Sequence, residues 1–170
     1  MIDRSHEHDG TLSTVTYSDC ENYRYALTRT WDPQGKRLLY IMLNPSKADE
    51  LRNDPTVERC ERRARALGYG AFRVTNIFAW RDTDPFAMKR AKAPVGPDNE
   101  ATLQDSCTWA DAILAAWGTH GAHLGQGPAV AATLLAQDTP VFHLGLTKDG
   151  HPRHPLYISY KTQPMRWRVP

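Results

Sequence analysis

Apolar positions along the chain fall into four short runs separated by polar, glycine- and proline-rich stretches. Leu39 to Leu43 shows no alternation and stops at Asn44-Pro45-Ser46. Ala71 to Phe78 carries a second run, Ala110 to Gly118 a third and Pro140 to Leu144 a fourth. Runs this short, bounded by turn residues, predict strands buried on both faces. Between them the period changes. Asp54 before Pro55 predicts a capped helix with proline in its first turn, and Val57, Cys60, Ala64 and Leu67 recur at helical spacing up to Gly68. Asp82-Thr83-Asp84-Pro85 turns into a short helical segment, Asp98 to Trp109 reads as a longer one, and Gly127-Pro128 opens a last one to about Gln137. Upstream, Tyr23 to Trp31 alternates, and Asp32-Pro33-Gln34-Gly35 predicts a turn that folds it into an N-terminal β-hairpin with the Leu39 run. Residues 1–14 are expected to be a flexible N-terminus and residues 15–170 a single α/β domain.

Strands alternating with helices predict a three-layer α/β/α sandwich around a mostly parallel central sheet of about four strands. Right-handed crossovers would place all four strand ends on one edge. There Asn44, Asn76, the loop from Trp117 to His123 and the loop from His151 to Tyr157 would converge on a crevice, the usual ligand site of such sheets. Amides, histidines and aromatics gathered this way suit a planar, hydrogen-bonding ligand.

Charge adds a local signal only. The formal net charge is +2, too small to select a polyanion by itself. The arginines around residues 52 to 73 are interspersed with Glu58 and Glu61 and read as a solvated helix face. By contrast Lys47, Arg81, Lys148 and Arg153 lie in the strand-end loops and point to a phosphate-bearing ligand. Cys20, Cys60 and Cys107 form no paired spacing, so neither a disulfide framework nor a zinc site is expected. His120 and His123 also lack metal spacing, and no metal is assigned. With no apolar run of membrane length and no leader-like start, a cytoplasmic monomer without membrane contact is expected.

The order LNPS, VTNIFAWRDTDP, DNEATLQDSC, ADAILAAWG and GHPRHPLY resembles the uracil-DNA glycosylase superfamily over about residues 38 to 157. Together, LNPS, the Trp117-Gly-Thr-His-Gly run and GLTKDGHPRHPLY also resemble a bacterial family of unknown function. The first resemblance implies a glycosylase-like fold and a DNA glycosylase-like enzyme, an N-glycosidase that flips and hydrolyses an altered base in repair or in defence against phage. Its alternative is a non-catalytic or differently catalytic module that binds a nucleotide or nucleobase on the same scaffold.

Carried onto this chain, Asn44 matches the residue that positions the hydrolytic water, with Pro45 and Ser46 beside it. Asn76 matches a strand-end amide that reads a base edge. His154 or His151 matches the His-Pro histidine that supports the leaving base, and Pro155-Leu156-Tyr157 favours His154. Leu156 and Tyr157 are then expected to wedge into a duplex. Phe78, Trp80 and Trp117 are the candidates to stack on the base, with His120 beside them. Met42 stands where the related Gly-x-Asn-Pro motif has glycine, and no cysteine set matches the iron–sulfur branch, so no cofactor is implied. The expected partner is DNA or a nucleotide.

Overall fold

A computed structural model describes residues 1–168. The chain runs β1 (Ile2–His8), β2 (Thr11–Tyr17), β3 (Arg24–Thr30), β4 (Arg37–Met42), α1 (Pro55–Ala66), β5 (Ala71–Asn76), α2 (Pro85–Arg90) and α3 (Asn99–Trp109). It continues with β6 (Ala112–Ala115), a 3₁₀ segment at Thr119–Gly125, α4 (Gln126–Leu135), β7 (Val141–His143) and β8 (Met165–Arg166). The strands join one eight-stranded sheet in the order β1-β2-β3-β5-β4-β6-β7-β8.

This corrects the fold expected from the sequence. In place of a mostly parallel, four-stranded, glycosylase-like sheet, the protein has a mixed sheet of eight strands, in which four of the seven pairings are antiparallel. The hairpin expected between the Tyr23 and Leu39 strands does not form either. β5 inserts between them, antiparallel to β3 with Leu27 opposite Val74, and parallel to β4 with Tyr40 opposite Val74. Alternation marks a residue as half-buried in a sheet and leaves its partner strand unspecified. Here the turn after β3 is held by Gly70 at the foot of β5, whose carbonyl accepts from the amides of Trp31 and Asp32 at 3.0 Å each. Residues 1–14, expected as a flexible N-terminus, carry β1 and the start of β2, which pair antiparallel from Ile2 opposite Tyr17 to His8 opposite Thr11.

The apolar runs bury both faces of the sheet. On one face Leu38, Tyr40, Met42, Phe72, Val74 and Leu114 pack against Val57, Cys60 and Ala64 of α1. On the other, Leu39, Ile41, Ile113 and Ala115 pack with Met88 of α2, Leu103 and Cys107 of α3, and Val130 and Leu134 of α4. α1 begins as its sequence dictates. Asp54 caps it by accepting from Val57 N at 2.8 Å, Pro55 occupies the first turn, and Gly68 follows the helix with φ +85°.

Two buried arginines of β3 hold the loop that leads from β4 into α1. A bulge in the β2–β3 register pairs Tyr17 with Arg24, one residue short of regular spacing, and sets the Arg24 side chain beside Tyr17 and Ala48 on the α1 face. Its guanidinium donates to Ala48 O at 2.8 Å and is 1% exposed. Arg29 donates to Asn53 Oδ1 and Asp49 O at 2.8 Å and to Arg52 O at 3.2 Å. Replacing Arg24 by Met keeps most of the side-chain volume and strands the Ala48 carbonyl, so Arg24→Met is expected to lose about 2–3 kcal/mol in urea unfolding; a loss below about 1 kcal/mol would show that the loop is held by other contacts.

Candidate functional site

β5, β4, β6 and β7 run parallel, so their carboxyl ends share one edge. After β4 the chain leaves through α1 toward β5, and after β6 it leaves in the opposite direction toward β7. A crevice opens where neighbouring parallel strands send their connections apart, here at the ends of β4 and β6.

Asn44 forms its floor. The segment after β4 is stitched to the segment after β5 by Ile77 N to Met42 O at 2.8 Å, Phe78 N to Leu43 O at 3.0 Å and Asp82 N to Pro45 O at 2.9 Å. The Asn44 side-chain amide joins this seam, with Nδ2 donating to Asp82 O at 2.8 Å. That bond fixes the side chain and leaves Oδ1 without a partner among the described residues. Beside it lies an open cleft of about 430 Å³ whose lining includes Asn22, Ser46, Lys47, Trp80, Arg81 and Asp82. Arg81 is anchored there, donating to Glu21 O at 2.9 Å and lying over the Tyr17 ring at 4.8 Å.

His154 lies near the carboxyl end of β6, where a Cβ on Gly118, three residues beyond the strand, would lie 3.5 Å from the His154 Cβ. Gly118 has φ +74° and donates to Pro152 O at 2.8 Å, a backbone shape that a side chain would strain. His154 Nδ1 accepts from Leu156 N at 3.3 Å, so the proton of a neutral ring sits on Nε2. Burial pushes the imidazole pKa down to about 4, against the opposing pull of the Asp54 carboxylate. The ring is therefore a neutral N–H donor at physiological pH.

The segment that follows is strapped to α1. Arg59 donates to Pro155 O at 3.4 Å and to Ile158 O, and Arg63 donates to Ile158 O, Ser159 O and Thr162 O at 3.0 to 3.2 Å. Both guanidinium groups face the Tyr160 ring, at 4.4 and 5.4 Å. Arginines read as a solvated face thus include two that fasten the His154 loop. Arg62 and Arg65 do make the surface pairs, with Glu58 at 2.9 Å and Glu61 at 3.0 Å.

The remaining candidates separate. Asn76 is 1% exposed, and neither Nδ2 nor Oδ1 finds a protein partner. It lies at the end of β5 on the α1 face and does not line the cleft. Phe78 and Trp117 are core side chains at 0% and 1% exposure, packed with Ile77, Met88 and Leu134, so neither ring offers a face to the crevice. Trp80, half-buried, does line the cleft. His151 sits in a turn, its amide donating to Thr147 Oγ1 at 3.1 Å, with Lys148 exposed at the tip and Arg153 exposed beyond it. His120 packs edge-on against Phe86 at 5.2 Å. Leu156 is half-buried, while Tyr157 is 90% exposed with φ +72°. Sequence reasoning missed Arg24, Arg59 and Arg63 as anchors, because a guanidinium that ends on main-chain carbonyls leaves no pairing pattern in the sequence.

Among the described residues no three His, Cys, Asp or Glu side chains are grouped to hold a metal ion, and the three cysteines are free. No helix among them is long and apolar enough to cross a membrane. Residues 24–156 match the family described as protein of unknown function (DUF1643). No curated protein and no solved structure matches the chain, and the resemblance to uracil-DNA glycosylases gains no support from these comparisons.

The depressed pKa of His154 makes a stability prediction. An unfolded histidine takes up its proton near pH 6.5 and the folded ring only near pH 4. The unfolded state binds more protons between these values, so stability falls as pH drops through that window and levels off below it. The loss from His154 is about 3 kcal/mol at most. Burial also lowers His120 and His143, which act in the same direction. Subtracting the pH dependence of unfolding measured for His154→Gln isolates the His154 share; parallel curves for the two proteins would contradict its burial as a neutral ring.

Proposed function

Because the chain belongs to the DUF1643 family of proteins of unknown function, its chemistry is read from its own crevice, and we propose that it hydrolyses the N-glycosidic bond of a nucleobase in a nucleotide or in nucleic acid. The observation that carries this reading is His154, half-buried, whose Nδ1 accepts from Leu156 N and so leaves Nε2 to donate, and whose pKa burial holds at about 4. Cleavage of such a bond leaves the electron pair on the departing base, and a neutral N–H aimed at a base carbonyl stabilises that charge without giving up its proton.

Asn44 supplies the second part. Its Nδ2 is occupied by Asp82 O, so Oδ1 is held as an acceptor for a water. An amide is too weak a base to take a proton, but it can hold water against the anomeric carbon as the bond to nitrogen breaks. Water oxygen bonds to that carbon, the base departs with the bonding pair, and the proton lost by water returns to the base through solvent. Lys47 and Arg81 in the adjoining cleft suit the sugar's phosphate, and Trp80 offers an aromatic wall. The order of motifs along the chain resembles that of uracil-DNA glycosylases, and this resemblance implies the same roles for Asn44 and His154.

Purified protein is incubated with oligonucleotides and nucleotides carrying uracil or modified pyrimidines, and free base is measured. Asn44→Ala and His154→Gln are each expected to slow release tenfold or more, about 1.4 kcal/mol of barrier. Wild-type release is expected to stay level between about pH 5.5 and 8, since His154 does not titrate there. Binding without release would establish the nucleobase-binding module in place of the hydrolase, and release indifferent to both substitutions would remove these residues from the chemistry.

A further inference from the structure

Next to the cleft, beyond its Asp82 and Thr83 edge, stands a wall that the hydrolase reading does not use. α2 follows the Asp82 turn on the side of the sheet opposite α1, and the 3₁₀ segment after β6 comes up beside it. Their meeting point is Phe86 against His120, ring centroids 5.2 Å apart and nearly perpendicular. Phe86 is 58% exposed although it begins an otherwise anchored helix, whose Met88 is fully buried. Lys89 lies 5.3 Å over its ring, and the same ammonium adds to burial in lowering the His120 pKa.

Cations outnumber their partners on this wall. Lys89, Arg90 and Lys92, like Lys47 across the cleft, form no ion pair among the described residues. The carboxylates that precede them, Asp82 and Asp84, bond the turn that starts α2: Asp82 Oδ1 accepts from Asp84 N at 3.0 Å and Asp84 Oδ1 from Phe86 N at 2.9 Å. An exposed aromatic ring with an ammonium over it, and further unpaired cations along the same segment, is what a single strand requires, a stacking surface for a base and charge for its backbone. A duplex keeps its base faces inside and has no use for such a ring.

Resting on the nucleobase reading of the Asn44 crevice, we propose that Phe86, with His120 behind it and Lys89 over it, is a stacking platform for a neighbouring base, and that the partner is single-stranded nucleic acid. A base held at Asn44 would then have its neighbour in the strand on Phe86 and its phosphates between Lys47, Arg81 and Lys89. The platform adds affinity for a strand over a lone nucleotide.

The test measures Kd by anisotropy for labelled single-stranded thymidine and uridine octamers, the thymidine octamer in a duplex, and thymidine monophosphate in competition. Wild type is expected to bind at least one of the single strands about tenfold or more tighter than the monophosphate, and tighter than the duplex, with the two octamers telling DNA from RNA. Phe86→Ala is expected to shrink the strand's advantage over the monophosphate by roughly five- to a hundredfold, and Phe86→Tyr to restore it; thermal melts confirm folding of both. An advantage untouched by Phe86→Ala, or a duplex bound as tightly as the single strand, would overturn the platform. The hydrolase reading fails separately, by absence of base release while Phe86-dependent strand binding persists.

Discussion

Guanidinium groups tied to main-chain carbonyls are the constraint on which the site rests. Arg24 is fully buried, and burial lowers its pKa to about 10, still protonated at neutral pH. A charge in that position is tolerated only with close polar company. It has the Ala48 carbonyl at 2.8 Å and the nearby Asp54 carboxylate, which favours its charged form. In exchange the loop after β4, which has no regular structure from residue 43 to the start of α1, is held at fixed points. Arg59 and Arg63 do the same for residues 155–162. A carbonyl acceptor carries no charge and is available at every residue, so an irregular loop can be fastened without a matching acidic sequence.

Asp54 connects these two clamps. Its two oxygens accept from Val57 N at 2.8 Å and Ala48 N at 3.2 Å, starting α1 and closing the loop onto it. The same carboxylate stabilises the charged form of Arg24 and opposes the burial that keeps His154 neutral. Burial wins at His154. Had Asp54 bonded the ring directly, the imidazole would have been drawn toward its charged form, and a cationic donor would titrate in the physiological range. Placing the carboxylate on backbone amides keeps its charge local to the cap.

The sequence located β4, β5, β6 and β7 because burial on both faces removes polar positions from a strand, and it located α1 because Asp54, Pro55 and Gly68 each have a specific backbone role. Pairing was less legible. β3 alternates as an antiparallel strand should, yet nothing in Tyr23 to Trp31 says that β5 and β2 are its neighbours. β1 was illegible for another reason: its residues after Ile2 are exposed, so no apolar period marks it. At the site, Asn44 and His154 are visible as polar residues immediately before prolines in loops. Arg24 was not, because its inward orientation depends on a one-residue bulge against β2. Phe78 and Trp117, the resemblance's candidates to stack on a base, stand where the chain leaves β5 and β6, and both rings join the core.

Asn76 shows how the end of β5 is organised around unmet polar capacity. Its main-chain carbonyl accepts from Asn99 Nδ2 at 2.8 Å, and the next carbonyl, Ile77 O, accepts from Gln126 Nε2 at 3.2 Å. The strand end is thus fixed from the α3 and α4 side by two amides, which leaves the Asn76 side chain directed to the α1 face with no protein partner. Asn99 Oδ1 and Trp117 Nε1 are likewise buried and unpaired. Each such group costs about 1–3 kcal/mol, and the sheet's centre holds apolar side chains in their place. Of the six buried side-chain atoms without a partner among the described residues, four lie where β5 and β6 end and two are guanidinium nitrogens of β3, Arg24 Nε and Arg29 Nη1, so the fold carries this cost at the anchors of its loops as well as at the end of its sheet.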